Sequence, residues 1–108
     1  MLKNFKTYGL AVQFHKRCKL LKAPAYLRDQ LLRASSSVAL NLAEGSGKRT
    51  LAEQRRFYNI ALGSLRECQA VCDLLETADG ETVRLADTIG GCLYRLSGLG
   101  ADRSQVDT

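Results

Sequence analysis

Residues 44–50 read Glu-Gly-Ser-Gly-Lys-Arg-Thr and bring together two glycines, two cations and a hydroxyl. These are the residue types from which phosphate-cradling loops are built. Such a loop needs Gly-x4-Gly-Lys followed directly by Ser or Thr, with a strand before it and a helix after. Counting back from Gly47-Lys48, the first glycine should stand at position 42, which is Leu42, and the residue after the lysine is Arg49. The run before it has helical spacing. All three requirements fail, and the pattern instead predicts a joint between two helices. Gly45 and Gly47 are expected to supply positive φ at a helix C-terminus. Lys48 and Arg49 lie where the helix dipole favours cations. Thr50 and Glu53 have capping-box spacing.

The other candidate groups assemble into no active site. Cys68 and Cys72 are four apart and Cys18 and Cys92 stand elsewhere, whereas a four-cysteine zinc site is built from Cys-x2-Cys pairs on tight turns. All four fall on apolar stripes, where a thiol packs as a small hydrophobe. His15 is the only histidine. A four-helix ribonuclease of the HEPN type would need an Arg-x4–6-His signature, but no arginine precedes His15, and no partner for acid–base work is evident. Ser35, Ser36 and Ser37 lack an elbow turn and a base, and read as helix-packing residues. Glu44 and Glu67 have no Glu-x-x-His beside them. The chain is therefore expected to be non-enzymatic, with no catalytic residue, metal or cofactor. Asn41, an amide on an apolar helix, needs a partner if buried, and Glu44 one turn on would help it bind a backbone group or an arginine.

The basic residues remain. Lys16, Arg17, Lys19 and Lys22 form one cluster and Lys48, Arg49, Arg55 and Arg56 another, with Arg28 and Arg33 between them. Residues 1–56 hold twelve Lys/Arg against three acids, a balance of +9, while residues 57–108 carry −4. That asymmetry points to a polyanionic partner such as nucleic acid, or else to basic helices lying against acidic ones. Tyr8, Tyr26 and Tyr58 lie near the basic set as possible base-stacking groups.

Four helices would have to position these groups. The first is expected at 7–21, with Leu10 or Ala11, Phe14, Cys18 and Leu21 inward. The second, at 24–44, opens on Pro24, suited to a first helical turn. Its core stripe is Leu27, Leu31, Ala34, Ser35, Val38 and Leu42. A second stripe of Leu32, Ser36, Ala39, Leu40 and Ala43 reads as a subunit interface, because no charge falls between Arg33 and Glu44. The third, at 51–77, buries Phe57 or Tyr58, Ala61, Leu65, Cys68, Cys72 and Leu75. Asp79 is placed to cap the fourth, at 81–96, which turns Val83 or Leu85, Ala86, Ile89, Leu93 and Leu96 inward. Residues 100–108 read as a polar, fraying tail.

The whole is one domain of 108 residues, 45% apolar, with a single proline and no tryptophan, which suits a helical bundle. Short joints make neighbouring helices antiparallel, so an all-α, up-down-up-down four-helix bundle is expected. No stretch reaches the roughly 20 apolar residues of a membrane span. The first residues have no leader pattern, and four cysteines then imply reduced thiols and a cytoplasmic location.

The runs "QLLRASSSVALNLAEGSGKRT" and "RRFYNIALGSLRE" resemble the four-helix proteins encoded within intervening sequences of bacterial 23S ribosomal RNA genes. The pattern there is close to Gln-Leu-x-Arg-Ala, then Ser-Ile-x-x-Asn-Ile-Ala-Glu-Gly-x-Gly-Arg, then Phe-x-x-Ile-Ala-x-Gly-Ser-x-x-Glu. Gln30, Arg33, Ala34, Ser37, Asn41, Ala43, Glu44, Gly45 and Gly47 answer to its first two parts, and Phe57, Ala61, Gly63, Ser64 and Glu67 to its third. The family often has proline where this chain has Ala39, and arginine where it has Leu32. The resemblance implies a homo-oligomer in the form of a pentameric barrel. A related branch, the accessory variability determinants of diversity-generating retroelements, binds nucleic acid and a reverse transcriptase. The resemblance thus implies those two partners, and the rival expectation is a scaffold whose basic face docks an acidic protein.

Overall fold

The computed structural model describes residue 2 and residues 5–100; the expected polar tail beyond 100 lies outside them. Its elements are α1 (Lys6–Cys18), α2 (Ala25–Ser46), α3 (Leu51–Leu74) and α4 (Gly80–Leu96), with no strand among the described residues. Each helix packs against its neighbours in chain order and α4 closes on α1, with the most extensive contact between α2 and α3. Between α3 and α4, Leu65 lies against Gly90 and Gln69 donates to Asp87, and beyond α4 Gly98 lies against Arg55.

The core is the set of stripes that the 3.6-residue period requires. Phe14, Leu31, Leu42, Leu65, Ile89 and Leu93 are its largest fully buried apolar side chains. Each contributes about 1.5–3 kcal/mol relative to exposure. Of the two pairs the spacing left open, Ala11 is buried rather than Leu10, and Tyr58 rather than Phe57. Val83 is exposed and Leu85 is half-buried against the core.

The helix ends differ from the expected ones for local reasons. α1 stops at Cys18 because Leu20 and Leu21 donate to the carbonyls of Arg17 and Cys18, tightening the last turn. The Arg28 guanidinium then closes that end, donating to Lys19 O and Leu21 O at 2.9 Å each. Pro24 is the N-cap of α2, and its carbonyl accepts from Leu27 and Arg28. α3 ends before Leu75, whose backbone is extended (ψ 127°), and Thr77 Oγ1 donates to Lys22 O across the bundle end. Thr50 Oγ1 accepts from Glu53 N at 3.1 Å, and Asp79 caps α4 through Thr82 N at 2.8 Å.

The glycine expectation needs correcting. Neither Gly45 nor Gly47 has positive φ; Gly47 sits at φ −90°, and among the described residues Gly98 alone is left-handed, at φ 81°. Gly45 is required by close approach instead. A Cβ there would lie 2.7 Å from Tyr58 Cε1, so the absent side chain lets α2 and α3 close on each other.

The proposed second stripe of α2 also needs correcting. Ala39 is buried within the chain, and Leu32 is partly buried against the core. Ser36 and Ala43 are half-exposed, and Leu40 is the strongly exposed member, at 67%. The bundle itself covers Ala39 and part of Leu32 within this stripe.

Candidate nucleic-acid interface

The ten basic residues separate into those the fold uses and those it leaves free. Arg17 is a paired cation: its guanidinium reaches Glu81 at 2.8 Å, Asp79 at 3.3 Å and Thr82 Oγ1 at 3.2 Å. It ties the end of α1 to the start of α4. Arg28 is likewise committed to the carbonyls that end α1. Arg55 is half-buried and packs against Gly98, where a Cβ would meet its Nε at 2.6 Å.

Lys16, Lys19, Lys22, Arg33, Arg49 and Arg56 are exposed and Lys48 is half-exposed. Among the described residues the ion pairs are those of Arg17 with Asp79 and Glu81. Internal pairing of basic with acidic helices therefore accounts for Arg17 and for no other described cation.

The α2–α3 corner is the most organised basic region. Thr50 starts α3, Gln54 Nε2 donates to Lys48 O at 3.2 Å, and Gly45 seats Tyr58 beneath the turn. These contacts hold Lys48 and the first turns of α3 together. The Lys48 ammonium lies 5.0 Å from the centroid of the Phe57 ring and the Arg56 guanidinium 5.7 Å from it. Phe57 is half-buried and lines an open groove with Leu40, Asn41, Ala43 and Glu44. Cations over a ring face are attracted by its quadrupole.

Of the aromatics singled out earlier, Tyr58 is buried and does not present a stacking face; burial also raises its phenol pKa. Phe57 was overlooked as a surface group because its spacing suits a core position as well as Tyr58 does. Its one sequence signal is the neighbouring Arg56. Lys48 joins only through the turn.

Of the two partners expected for Asn41, a backbone group or an arginine, it takes the backbone group. Its Nδ2 donates to Ser37 O at 2.9 Å and to Ser37 Oγ at 3.0 Å, and Ser37 Oγ shares a 2.8 Å hydrogen bond with Ser64 Oγ. This chain stitches α2 to α3.

His15 has a hydrogen-bond partner in a serine hydroxyl. Its Nδ1 is 2.7 Å from Ser35 Oγ, a hydroxyl with no exposure. Desolvation first, and then Lys19, lowers the His15 pKa. Cys18, Cys68 and Cys72 are buried and Cys92 is half-exposed. Burial, and secondarily Cys72, pushes the Cys18 thiol up to about 12, against a hydrogen bond with Ser35. Burial likewise raises Cys68 and Cys72. Protonated thiols are poor nucleophiles and poor ligands. Among the described residues no three His, Cys, Asp or Glu side chains are grouped to hold a metal ion. Nor is any helix among them long and apolar enough to cross a membrane.

A comparison with curated proteins finds no match. The family model described as 23S rRNA-intervening sequence protein matches residues 3–87, across α1, α2, α3 and the first half of α4, and the chain belongs to that family.

Proposed function

We propose that this chain is a non-enzymatic, cytoplasmic nucleic-acid-binding accessory protein, an antiparallel up-down-up-down bundle that acts as a homo-oligomer. The observation that carries the reading is the set of exposed cations left without carboxylate partners among the described residues, with Lys48, Arg49 and Arg56 gathered at one corner. Unpaired Lys and Arg groups on a scaffold bind phosphates by releasing counterions, irrespective of sequence. Lys16, Lys19 and Lys22 form a second exposed basic cluster at the other end of the bundle, where α1 ends, and Arg33 lies along α2 between the two. Arg17, Arg28 and Arg55 support the fold and have no part in it.

The proposed contact between copies uses the flank of α2 that bears Ser36 and the uncovered part of Leu32, while Leu40 and Ala43 border the groove at Phe57. Ala39 is too buried to take part. Five copies, as the family resemblance implies, would close a ring and leave the Leu40 ridge outside the contact. A reverse transcriptase is the protein partner that the retroelement branch suggests.

Titration of structured RNA and single-stranded DNA at increasing salt tests the reading. Binding that weakens steeply with salt supports it. Absence of binding at low salt, with the oligomer intact in light scattering, leaves the exposed Leu40 ridge as a protein-docking face and favours a scaffold.

A further inference from the structure

We propose that the groove between α2 and α3 at the Lys48–Arg56 corner holds an unpaired guanine of a single-stranded nucleic acid. The proposal rests on the nucleic-acid reading above and adds to it the base and the strand state. Three features of the groove carry it, and each answers to a different part of a nucleotide.

The first is an apolar seat. Phe57 and Leu40 line the groove, and Phe57 is half-exposed. Base faces stack on aromatic rings. A base in a duplex has its faces and edges already used, so the seat fits one that is unpaired.

The second is charge. Lys48 and Arg56 reach the Phe57 ring on flexible stems, and the exposed Arg49 follows Lys48 in the chain. They can swing onto phosphates as a base takes the ring face. Three cations match successive phosphates of a strand better than the single phosphate of a free nucleotide.

The third is the hydrogen-bonding character of the wall. Asn41 spends its Nδ2 on Ser37 O and Ser37 Oγ, and the carbonyl acceptor fixes which way the amide faces. What Asn41 has left is its Oδ1 acceptor. Glu44 is exposed, has no ion pair among the described residues, and its carboxylate only accepts. A wall of acceptors selects an edge rich in donors. Guanine presents N1–H and the N2 amino group side by side, matching the two carboxylate oxygens. Adenine and cytosine each offer one amino group beside a ring acceptor, and uracil and thymine flank their single N–H with carbonyls.

The test uses the full chain and three short fluorescent oligomers: all-uridine, the same with one central guanosine, and the same with inosine there, which lacks the N2 amino group. The expected order is guanosine over inosine over uridine, with about a tenfold span between the ends. Glu44→Gln reduces that span to less than about twofold and leaves the uridine oligomer bound as well or better, since a negative charge near the phosphates is gone. Phe57→Leu weakens all three about fivefold or more. Pairing the guanosine with a complementary strand abolishes the preference. The deoxyribose series gives the same order, because the groove has no contact assigned to the sugar.

Equal affinities for the three oligomers, or a guanosine preference that survives Glu44→Gln in a variant with unchanged circular dichroism, overturns the proposal. In that case salt-sensitive binding of all three would still stand for the broader reading. If no oligomer binds at low salt, that reading fails as well.

Discussion

Gly45 on α2 lies directly beneath Tyr58 on α3, so close that a Cβ at position 45 would stand 2.7 Å from the ring carbon Cε1 and 3.1 Å from Phe57 Cβ. Tyr58 is itself buried and cannot swing into solvent without exposing the core. Gly45→Ala is therefore expected to destabilise the chain by about 1–3 kcal/mol through overpacking, despite alanine's better helix propensity. Urea denaturation measures it. Gly63→Ala, where nothing lies within 4 Å of the added Cβ, is the control and should be neutral or stabilising.

Arg28 and the α2–α3 corner cations should behave oppositely. Arg28→Gln removes the donors that close α1 and should cost about 1–2 kcal/mol of stability. It leaves the salt dependence of nucleic-acid binding unchanged. Replacing Lys48, Arg49 and Arg56 by glutamine leaves the unfolding midpoint nearly unchanged and lowers the slope of log K against log salt by about 2–3. If Arg28→Gln lowered that slope and the triple variant did not, the division made between the two sets would be wrong.

His15 makes stability depend on pH. Its folded pKa lies below the ordinary 6.5, through desolvation and then Lys19, so on acidification the unfolded chain takes up this proton first. The contribution is fully present above 6.5 and is lost as pH falls through the lower folded value. Wild-type chain should lose more stability between about pH 7.5 and pH 5.5 than His15→Asn, which retains a polar partner for Ser35. Parallel urea curves at the two pH values show the difference.

Thiol reactivity should rank by burial. Cys92 is half-exposed, with its Sγ 3.7 Å from Arg95 Nη2, whereas Cys18, Cys68 and Cys72 are buried with raised pKa values. A disulfide reagent should label Cys92 promptly in the native protein and the other three at the rate of opening. Prompt labelling of all four would show that the core is more accessible than the packing implies.

Much of the architecture could be read from sequence because it depends on local rules. The 3.6-residue recurrence of Phe14, Cys18 and Leu21, of Leu31, Val38 and Leu42, and of Leu65, Cys68 and Cys72 fixes which faces are buried whatever they pack against. Caps at Thr50 and Asp79 need only a side chain and an amide three residues on, and both form. The motif from Gln30 to Glu67 was also enough to indicate the family.

What a residue does once the helices meet was decided by the tertiary structure. Arg17 and Arg49 are the same side chain in similarly basic neighbourhoods, yet one is consumed by Asp79 and Glu81, 62 and 64 residues away. Gly45 looks like a helix terminator in sequence and is in fact a contact point for Tyr58. His15 and Ser35 become partners, and Phe57 becomes the centre of a basic cluster, only through contacts between elements. Periodicity records which way a side chain points relative to its own helix axis. The identity of the neighbour depends on how four axes are placed in space, and no local spacing carries that information.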